Sequence, residues 1–309
     1  MPGSTLVHEA LIYDTDEEFL EAVTAFLTGA LDLGEAAVAA VPAHAIDLLR
    51  QRLAGDARLV TFIDRDAWYQ RPAATIAGWS GLLADALARG HRSIRIVGEV
   101  AYGTGERYDT WTRYESALND VFAAAPAWIV CPYDTRRLPD TVITGARRTH
   151  PVVSADARRP SELYQRPDRL LPTLPEPLPP VAGAATATVP LTAWSDLRRA
   201  RQAVESAVGN RGWDTARIKE ILLVVTEIAG NSLRHGRGDR RLNIWAGRPA
   251  LTCEVLDNGD GFRDPLAGYR PAGRAGGDGH GLWLAGQLSD WLAIEHRDGT
   301  TRVRFSFTR

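Results

Sequence analysis

Short apolar runs alternate with longer amphipathic stretches over the first half of this chain, and no other feature restricts the fold as much. Five runs have the length and composition of β-strands, and the four stretches between them have helical periodicity. Because a helix follows each strand, right-handed crossovers predict a mostly parallel α/β sheet with helices on both faces. The predicted strands are Glu9–Tyr13, Ala36–Val41, Arg58–Ile63, Ser93–Val97 and Trp128–Cys131, and the predicted helices are Glu17–Leu31, Ala43–Leu53, Pro72–Arg89 and Tyr108–Ala124.

The segment Ser154 to Pro190 interrupts this periodicity with recurrent prolines. Such a composition predicts an extended, semi-stiff linker. The length of 309 residues suits two domains of ordinary size. We therefore predict a first domain in residues 1–153, a linker in 154–190 and a second domain in 191–309.

Composition excludes several classes of function. A net charge of −2 and a pI near 6.4 argue against a chain that coats nucleic acid or an anionic membrane. The two cysteines, Cys131 and Cys253, fit a reducing compartment. Because we find neither a membrane-spanning run nor a signal peptide, we expect a soluble, cytoplasmic protein. The only lysine is Lys219, so a Gly-Lys-Ser/Thr phosphate-binding loop is excluded.

A helix is predicted around Leu222 to Gly236, and two glycine-rich segments follow it. One comes after the predicted strand Leu251 to Leu256, and the other opens an apolar helical run from Leu282 to Leu288. A neutral amide oxygen suits Mg²⁺, a carboxylate at a strand end is a fixed acceptor for an amine, and bare N–H groups at a helix start favour phosphate. The side chains and glycines that would serve these purposes are Asn231, Asp257, Gly259, Gly261, Gly279, His280 and Gly281.

The order of these three segments resembles the ATP-binding fold shared by gyrase, heat-shock chaperones, histidine kinases and mismatch-repair ATPases. The resemblance covers about residues 190–309 and implies a two-layer α/β sandwich. It implies that Asn231 holds Mg²⁺, that Asp257 contacts adenine, and that the backbone from Gly279 to Leu282 contacts phosphate. Residues Arg263 to Ala275 would form a lid over the nucleotide, with Arg270 and Arg274 as candidate phosphate contacts.

One branch of that superfamily is the most similar. Glu227 lies four residues before Asn231, as in the anti-sigma factor serine kinases, where this glutamate is taken as the base on the acceptor hydroxyl. The closing Asp298-Gly299-Thr300 segment is also similar and implies that Thr300 lies near adenine. Ser232 departs from the small apolar residue that is common there. The resemblance implies a sigma factor and an anti-anti-sigma (STAS-type) protein as partners, and the amphipathic helix Trp194 to Val208 is a candidate partner or homodimer interface.

The carboxyl ends of the first domain's strands are the expected ligand site of such a sheet. A sensory domain of methanogens and methylotrophs, which is similar to a RecA-type fold without a phosphate-binding loop, resembles this domain at several short motifs. These motifs are His8 with Tyr13, Gly98-Glu99, Cys131-Pro132-Tyr133-Asp134 and Thr149-His150-Pro151. The resemblance implies a small hydrocarbon-like ligand, and nearby tryptophans and tyrosines suit an apolar molecule. Because His8, Cys131 and His150 are isolated in the sequence, we expect no metal other than Mg²⁺ with ATP. The candidate ligand contacts are His8, Tyr13, Glu99, Cys131 and Tyr133.

Two alternatives to a serine kinase stay open. A sensor histidine kinase needs a phosphoacceptor histidine on a dimerising helix hairpin, and we place none of the seven histidines in one. A non-catalytic protein could instead bind ATP and sequester a transcription factor. Phosphate transfer to a partner protein separates the serine kinase from both alternatives.

Overall fold

The computed structural model describes residues 5–309 except 104, 106–107, 156, 175, 177, 210, 263 and 271–279. The chain divides into two compact units, Met1–Leu174 and Pro175–Arg309. The first contains a mostly parallel sheet and the second an antiparallel sheet, which confirms the predicted fold class. Within the described residues, no helix combines the length and apolar character that crossing a membrane requires.

The first unit is a seven-stranded sheet in the order β3-β2-β4-β5-β1-β6-β7. All neighbours are parallel except β6 and β7, which are antiparallel. Every strand and helix predicted for residues 5–150 is present. The elements are β1 Val7–Tyr13, α1 Asp16–Asp32, β2 Ala36–Val41, α2 Ala43–Leu53, β3 Val60–Asp64, α3 Arg65–Trp68, α4 Pro72–Ala88, β4 Ile94–Gly98, α5 Tyr108–Val121, β5 Ala127–Asp134, α6 Asp140–Thr149, β6 Val152–Ser154, β7 Arg158–Pro160 and α7 Pro167–Leu170.

Burial on both faces explains the apolar strands of this sheet. Strand β2 reads AAVAAV without a polar residue, as expected for a central parallel strand. Its odd-numbered residues join α1 and α2 in one hydrophobic core, together with Leu11 and Tyr13 of β1. The opposite face of β1 and β5 carries His8 and Cys131 and lies against α5.

The predicted linker Ser154–Pro190 contains structured elements at both ends. Strand β7, helix α7 and a 3₁₀ turn, Leu171–Thr173, belong to the first unit. Leu170 and Leu171 are buried, and the Arg113 guanidinium donates to the Leu171 carbonyl at 2.8 Å. The leucines between the prolines supply enough apolar surface to hold this part of the chain against the first unit.

The second unit is a five-stranded antiparallel sheet in the order β11-β12-β10-β9-β8. One hydrophobic core joins its strands to three helices. Strand β12 alternates strictly, and its buried residues are Thr301, Val303, Phe305 and Phe307. The elements are β8 Ala187–Pro190, α8 Asp196–Val208, α9 Thr215–His235, β9 Arg241–Ala246, β10 Ala250–Asp257, α10 His280–Leu288, β11 Trp291–Arg297 and β12 Thr300–Thr308.

Candidate functional site

Asp257, the last residue of β10, is held in a fixed orientation. The Ser232 hydroxyl of α9 donates to Asp257 Oδ2 at 2.9 Å, and the Gly259 N–H donates to Oδ1 at 2.9 Å. An ionised carboxylate offers about four lone-pair positions, so two donors leave it able to accept another. The carboxylate is therefore oriented and retains capacity for an amine of a ligand.

Glycines surround this carboxylate because the backbone approaches it closely. A β-carbon added to Gly236 would lie 2.7 Å from Asp257 Cγ, and one added to Gly259 would lie 2.9 Å from Asp257 Oδ1. Gly261 has a positive φ of 73°, and a β-carbon there would meet the His296 ring at 2.7 Å. No side chain larger than hydrogen fits at these three positions without displacing a neighbour.

Thr301, rather than Thr300, shares a face with Asp257. The two residues are direct cross-strand partners in the β10–β12 ladder. Thr301 is 3% exposed, and its hydroxyl lies 3.5 Å from the Gly259 carbonyl. Thr300 is half-buried, and the alternation of β12 puts its side chain on the opposite face of the sheet. Thr300 stays the predicted adenine contact, and Thr301 is the threonine that faces Asp257.

Glu227 and Asn231 lie side by side on α9 and face the start of α10. A β-carbon added to the buried Gly281 would lie 2.9 Å from Glu227 Oε2 and 3.1 Å from Asn231 Nδ2. Their four-residue spacing puts both side chains on one face of the helix. Helix α9 and the described end of the second glycine-rich segment, at the start of α10, are therefore adjacent.

The other residues predicted in and before the second glycine-rich segment lie in different surroundings. Gly279 and Arg274 lie outside the described residues, as do residues 263 and 271–275 of the predicted lid. His280 begins α10 and is exposed, whereas Leu282 is buried in the core. The Arg270 guanidinium forms an ion pair with Asp264 at 3.1 Å.

The five candidate contacts of the sensory ligand do not form one cluster. His8, Cys131 and Tyr133 share the face of the sheet that α5 covers. Tyr13 lies on the other face and packs against Phe19, with ring centroids 5.2 Å apart. Glu99 follows β4 at the carboxyl edge of the sheet and forms an ion pair with the Arg65 guanidinium. Strand alternation separates Tyr13 from the other three strand residues.

The carboxyl edge of the sheet concentrates charge near Glu99. Burial raises the pKa of Glu99 to about 7, although the Arg65 charge opposes that shift. Burial also raises the pKa of Tyr13, and the negative charge of Glu99 adds to the effect. Glu99 is thus able to change protonation near neutral pH.

A second, fully buried cluster contains His8, Glu115, Cys131 and His150. The expectation that these histidines and this cysteine are isolated is wrong, because parallel pairing and α5 bring distant segments together. Burial, assisted by the neighbouring His150, lowers the pKa of His8, and burial raises the pKa of the Cys131 thiol. Sequence reasoning missed Glu115, although it lies on the buried side of α5 at helical spacing from Trp111 and Leu118, where an apolar residue is expected.

The aromatic side chains of the same domain are part of its packed core. Trp79, Trp111 and Tyr114 are each at most 1% exposed. The Trp79 indole N–H donates to the Tyr114 hydroxyl at 2.8 Å, which satisfies both buried polar groups. Core packing accounts for these three rings.

One family match lies within each of the two compact units. Residues 7–151 match the MEDS family, described as the methanogen/methylotroph, DcmR sensory domain. Residues 191–307 match the family described as the histidine kinase-like ATPase domain. The chain joins a MEDS domain to a histidine kinase-like ATPase domain. The resemblances to the sensory domain and to the ATP-binding fold that includes histidine kinases are confirmed.

Two solved structures are similar to part of the chain. One contains the RsbU and RsbW domains of Rv1364c from Mycobacterium tuberculosis, with 19% identity and a TM-score of 0.30, and covers 40% of this chain and 32% of that one. This chain therefore spans about a third of that protein's length. The other is the catalytic domain of the histidine kinase ThkA (TM1359), with 14% identity, a TM-score of 0.28, and coverage of 40% and 96%. Comparison with curated proteins gives no match.

Ser232 of the ATPase domain gives a first testable expectation. Ser232→Ala removes the donor to Asp257 Oδ2 and leaves the carboxylate oriented by the Gly259 N–H alone. A hydrogen bond to a charged group contributes about 1.5–3 kcal/mol, so we expect ATP affinity to fall by about tenfold or more. Calorimetric titration of Mg²⁺-ATP measures the change. Thr226→Ala is the matched control, because that hydroxyl of α9 bonds only its own helix at the Leu222 carbonyl; equal affinities of the two variants would contradict the role of Ser232.

Proposed function

We propose that the ATPase domain binds Mg²⁺-ATP and phosphorylates a serine or threonine of an antagonist protein, under the control of the MEDS domain. The observation that carries the proposal is the meeting of Glu227 and Asn231 at Gly281. A carboxylate and a neutral amide beside a glycine at a helix start combine a base, a magnesium ligand and a phosphate-binding backbone.

The residues present fit an adenine nucleotide. Asp257 is oriented by two donors and has lone pairs left for the exocyclic amine of adenine. The glycines at positions 236, 259 and 261 leave the backbone free to approach a base. Asn231 would supply an amide oxygen to Mg²⁺. Bound Mg²⁺-ATP would supply the phosphoryl group and the positive charge that offsets its negative charge.

Glu227 would act on the acceptor. Its half-buried carboxylate is able to accept the proton of a hydroxyl placed beside it. Because phosphoryl transfer depends mainly on positioning and on charge stabilisation, a single base next to the metal ligand is a sufficient set of side chains. Packing of Gly281 against both residues would keep them in place.

The partners proposed are a sigma factor and a STAS-type anti-anti-sigma protein, with phosphorylation deciding which one is bound. Trp194, at the predicted partner helix, is 55% exposed and lies against the Arg234 guanidinium, 5.9 Å from the ring centroid. Exposed aromatic and arginine side chains are common anchors of protein interfaces. A small ligand in the MEDS domain, residues 1–153 in this proposal, would bias these states through the segment 154–190.

A histidine kinase is a weaker interpretation of the same domain. The histidines within helices are His44, His235 and His280, and their helices are α2, α9 and α10. Each of these helices contributes to the core of its own unit rather than to a dimerising hairpin. A non-catalytic ATP-binding protein is the other alternative, and it differs only in the transfer step.

The experiment that tests the proposal has a binding arm and a transfer arm. Calorimetry should show Mg²⁺-ATP binding by the full chain and its loss in the Asn231→Ala, Asp257→Ala double variant, because both nucleotide contacts are removed. ATP-loaded protein is then incubated with candidate STAS-type antagonists, and phosphate is expected on a serine or threonine. Binding without transfer would favour the non-catalytic alternative, and phosphate on a histidine of the chain itself would favour the histidine kinase. A folded wild type that does not bind ATP would refute the proposal.

A further inference from the structure

Four side chains of metal-binding type meet inside the MEDS domain. His8 comes from β1, Cys131 from β5, Glu115 from α5 and His150 from the residue after α6. His8 and Cys131 share a face because His8 pairs with Ile129 and Cys131 with Ala10 in the parallel β1–β5 ladder. All four residues are at most 2% exposed.

The separations between the ligand atoms suit a tetrahedral transition-metal site. His8 Nε2 lies 3.2 Å from Glu115 Oε2, and Cys131 Sγ lies 3.5 Å from each of these two atoms. His150 Nε2 lies 3.5 Å from the same Glu115 oxygen, and the four ligand atoms all lie within 4.8 Å of one another. Metal bonds of about 2.0–2.1 Å to nitrogen and about 2.3 Å to sulfur give a tetrahedron with edges of about 3.4–3.6 Å.

Hydrogen bonds outside the cluster fix the proton positions of both histidines. The Asn119 amide nitrogen donates to the Thr149 carbonyl at 2.7 Å, so its oxygen is the atom that accepts from His8 Nδ1 at 3.1 Å. His150 Nδ1 donates to the Ala146 carbonyl at 2.8 Å. In the neutral rings, both Nε2 atoms therefore point an unprotonated lone pair into the cluster. Support of the second ring nitrogen by an amide or carbonyl oxygen is the usual arrangement around a metal-bound histidine.

The cluster lacks the protons to satisfy its own acceptors. Among the described residues, the buried atoms His150 Nε2 and Glu115 Oε1 have no hydrogen-bond partner. Two imidazole lone pairs and a carboxylate face one thiol, which has a single proton to donate. Burying an acceptor without a donor raises the free energy of the folded protein, and burying a carboxylate without a cation raises it further. A divalent cation with a thiolate and a carboxylate would be both fully coordinated and neutral in charge.

We propose that His8, Glu115, Cys131 and His150 bind one divalent transition-metal ion of the zinc class in a closed tetrahedral site. Nitrogen and sulfur ligands favour zinc and its neighbours over magnesium or calcium. Four protein ligands leave no open position, so the ion ties α5 and the end of α6 to strands β1 and β5. The inference does not depend on the proposed kinase function, because all of its residues lie in the other domain.

The test uses the two cysteines of the full-length chain as internal reporters. We expect purified wild type to contain about one zinc per chain by elemental analysis. Chelator-treated, reduced protein is then titrated with Co²⁺, whose thiolate complexes have a characteristic charge-transfer absorption. Cys131→Ser should lose this band. Cys253→Ala should keep it, because Cys253 is buried in the apolar core of the ATPase domain.

The result does not depend on every variant folding. In Cys253→Ala, the remaining thiol is Cys131, so a cobalt–thiolate band in that variant alone supports the site. The site is overturned if wild type neither contains metal nor binds added Zn²⁺ or Co²⁺. It is also overturned if the band survives in Cys131→Ser or vanishes in Cys253→Ala. Circular dichroism of each variant establishes that the compared chains are folded.

Discussion

Glu227→Gln is expected to lower phosphoryl transfer to the antagonist by about 10²–10⁴-fold, the usual contribution of a positioned general base. Glutamine keeps the length and shape of the side chain, so it still fits beside Gly281, but it does not accept a proton. Mg²⁺-ATP affinity should stay close to that of wild type, because Asn231 and Asp257 are unchanged. Single-turnover transfer of labelled phosphate and calorimetric titration measure the two quantities separately.

The matched control is Glu220→Gln on the same helix. Glu220 is two turns before Glu227 and forms an ion pair with Arg217 at 2.8 Å. This variant removes the same charge from α9 without touching the proposed site, so its transfer rate should equal that of wild type. Full transfer activity in Glu227→Gln would exclude the residue as the base. Loss of ATP binding in that variant would instead assign Glu227 to the nucleotide site.

Periodicity predicted strands β1 to β5 and helices α1, α2, α4 and α5 because it reports burial, which is a local property of each segment. Helix α9 illustrates this, since its apolar residues repeat with the helical period. Strand β2 is instead apolar throughout, which indicates burial on both faces. Periodicity did not predict α6, β6, β8, β9 or β11. Periodicity alone does not show which of Thr300 and Thr301 faces Asp257. A shift of one residue exchanges the two faces of a strand, and the pairing of Asp257 with Thr301 depends on register across the sheet.

The four buried ligands of the MEDS domain show a different limit. Local spacing rules detect metal ligands that lie close together in sequence, but His8 and Cys131 are 123 residues apart. Only the order of strands in the sheet brings them together, because β1 lies directly beside β5, with β4, β2 and β3 on the other side of β5. Glu115 left one local signal, a carboxylate on the apolar side of α5.

The linker prediction shows how composition and packing compete. Prolines indicate extended chain between residues 154 and 190, and the described part of this segment contains no α-helix other than the four-residue α7. The buried pair Leu170 and Leu171 nevertheless attaches the first part of the segment to the first unit, and β8 attaches its last part to the second sheet. A few apolar residues outweigh the general tendency of a proline-rich segment because each buried leucine contributes about 1.5–3 kcal/mol.

Asp257→Asn is expected to weaken Mg²⁺-ATP binding by about 10- to 100-fold, which corresponds to the loss of a charge-assisted hydrogen bond of about 1.5–3 kcal/mol. The two donors that orient Asp257 occupy one position on each carboxylate oxygen. In asparagine, an NH₂ group replaces one of these oxygens. This group is a donor, so it faces a second donor, either from the protein or from the adenine amine. The same NH₂ group is able to donate to the carbonyl oxygen that guanine carries in place of that amine, so preference for ATP over GTP should fall.

Asp260→Asn controls for the change of charge in the same loop. Asp260 is exposed and lies 3.6 Å from the Arg237 guanidinium, outside the hydrogen bonds that orient Asp257. Parallel titrations of ATP and GTP into wild type and both variants separate base recognition from a general electrostatic effect. An equal loss of ATP and GTP affinity in both variants would mean that charge alone attracts the nucleotide. A preference for ATP that persists in Asp257→Asn would move adenine recognition to other residues of the domain.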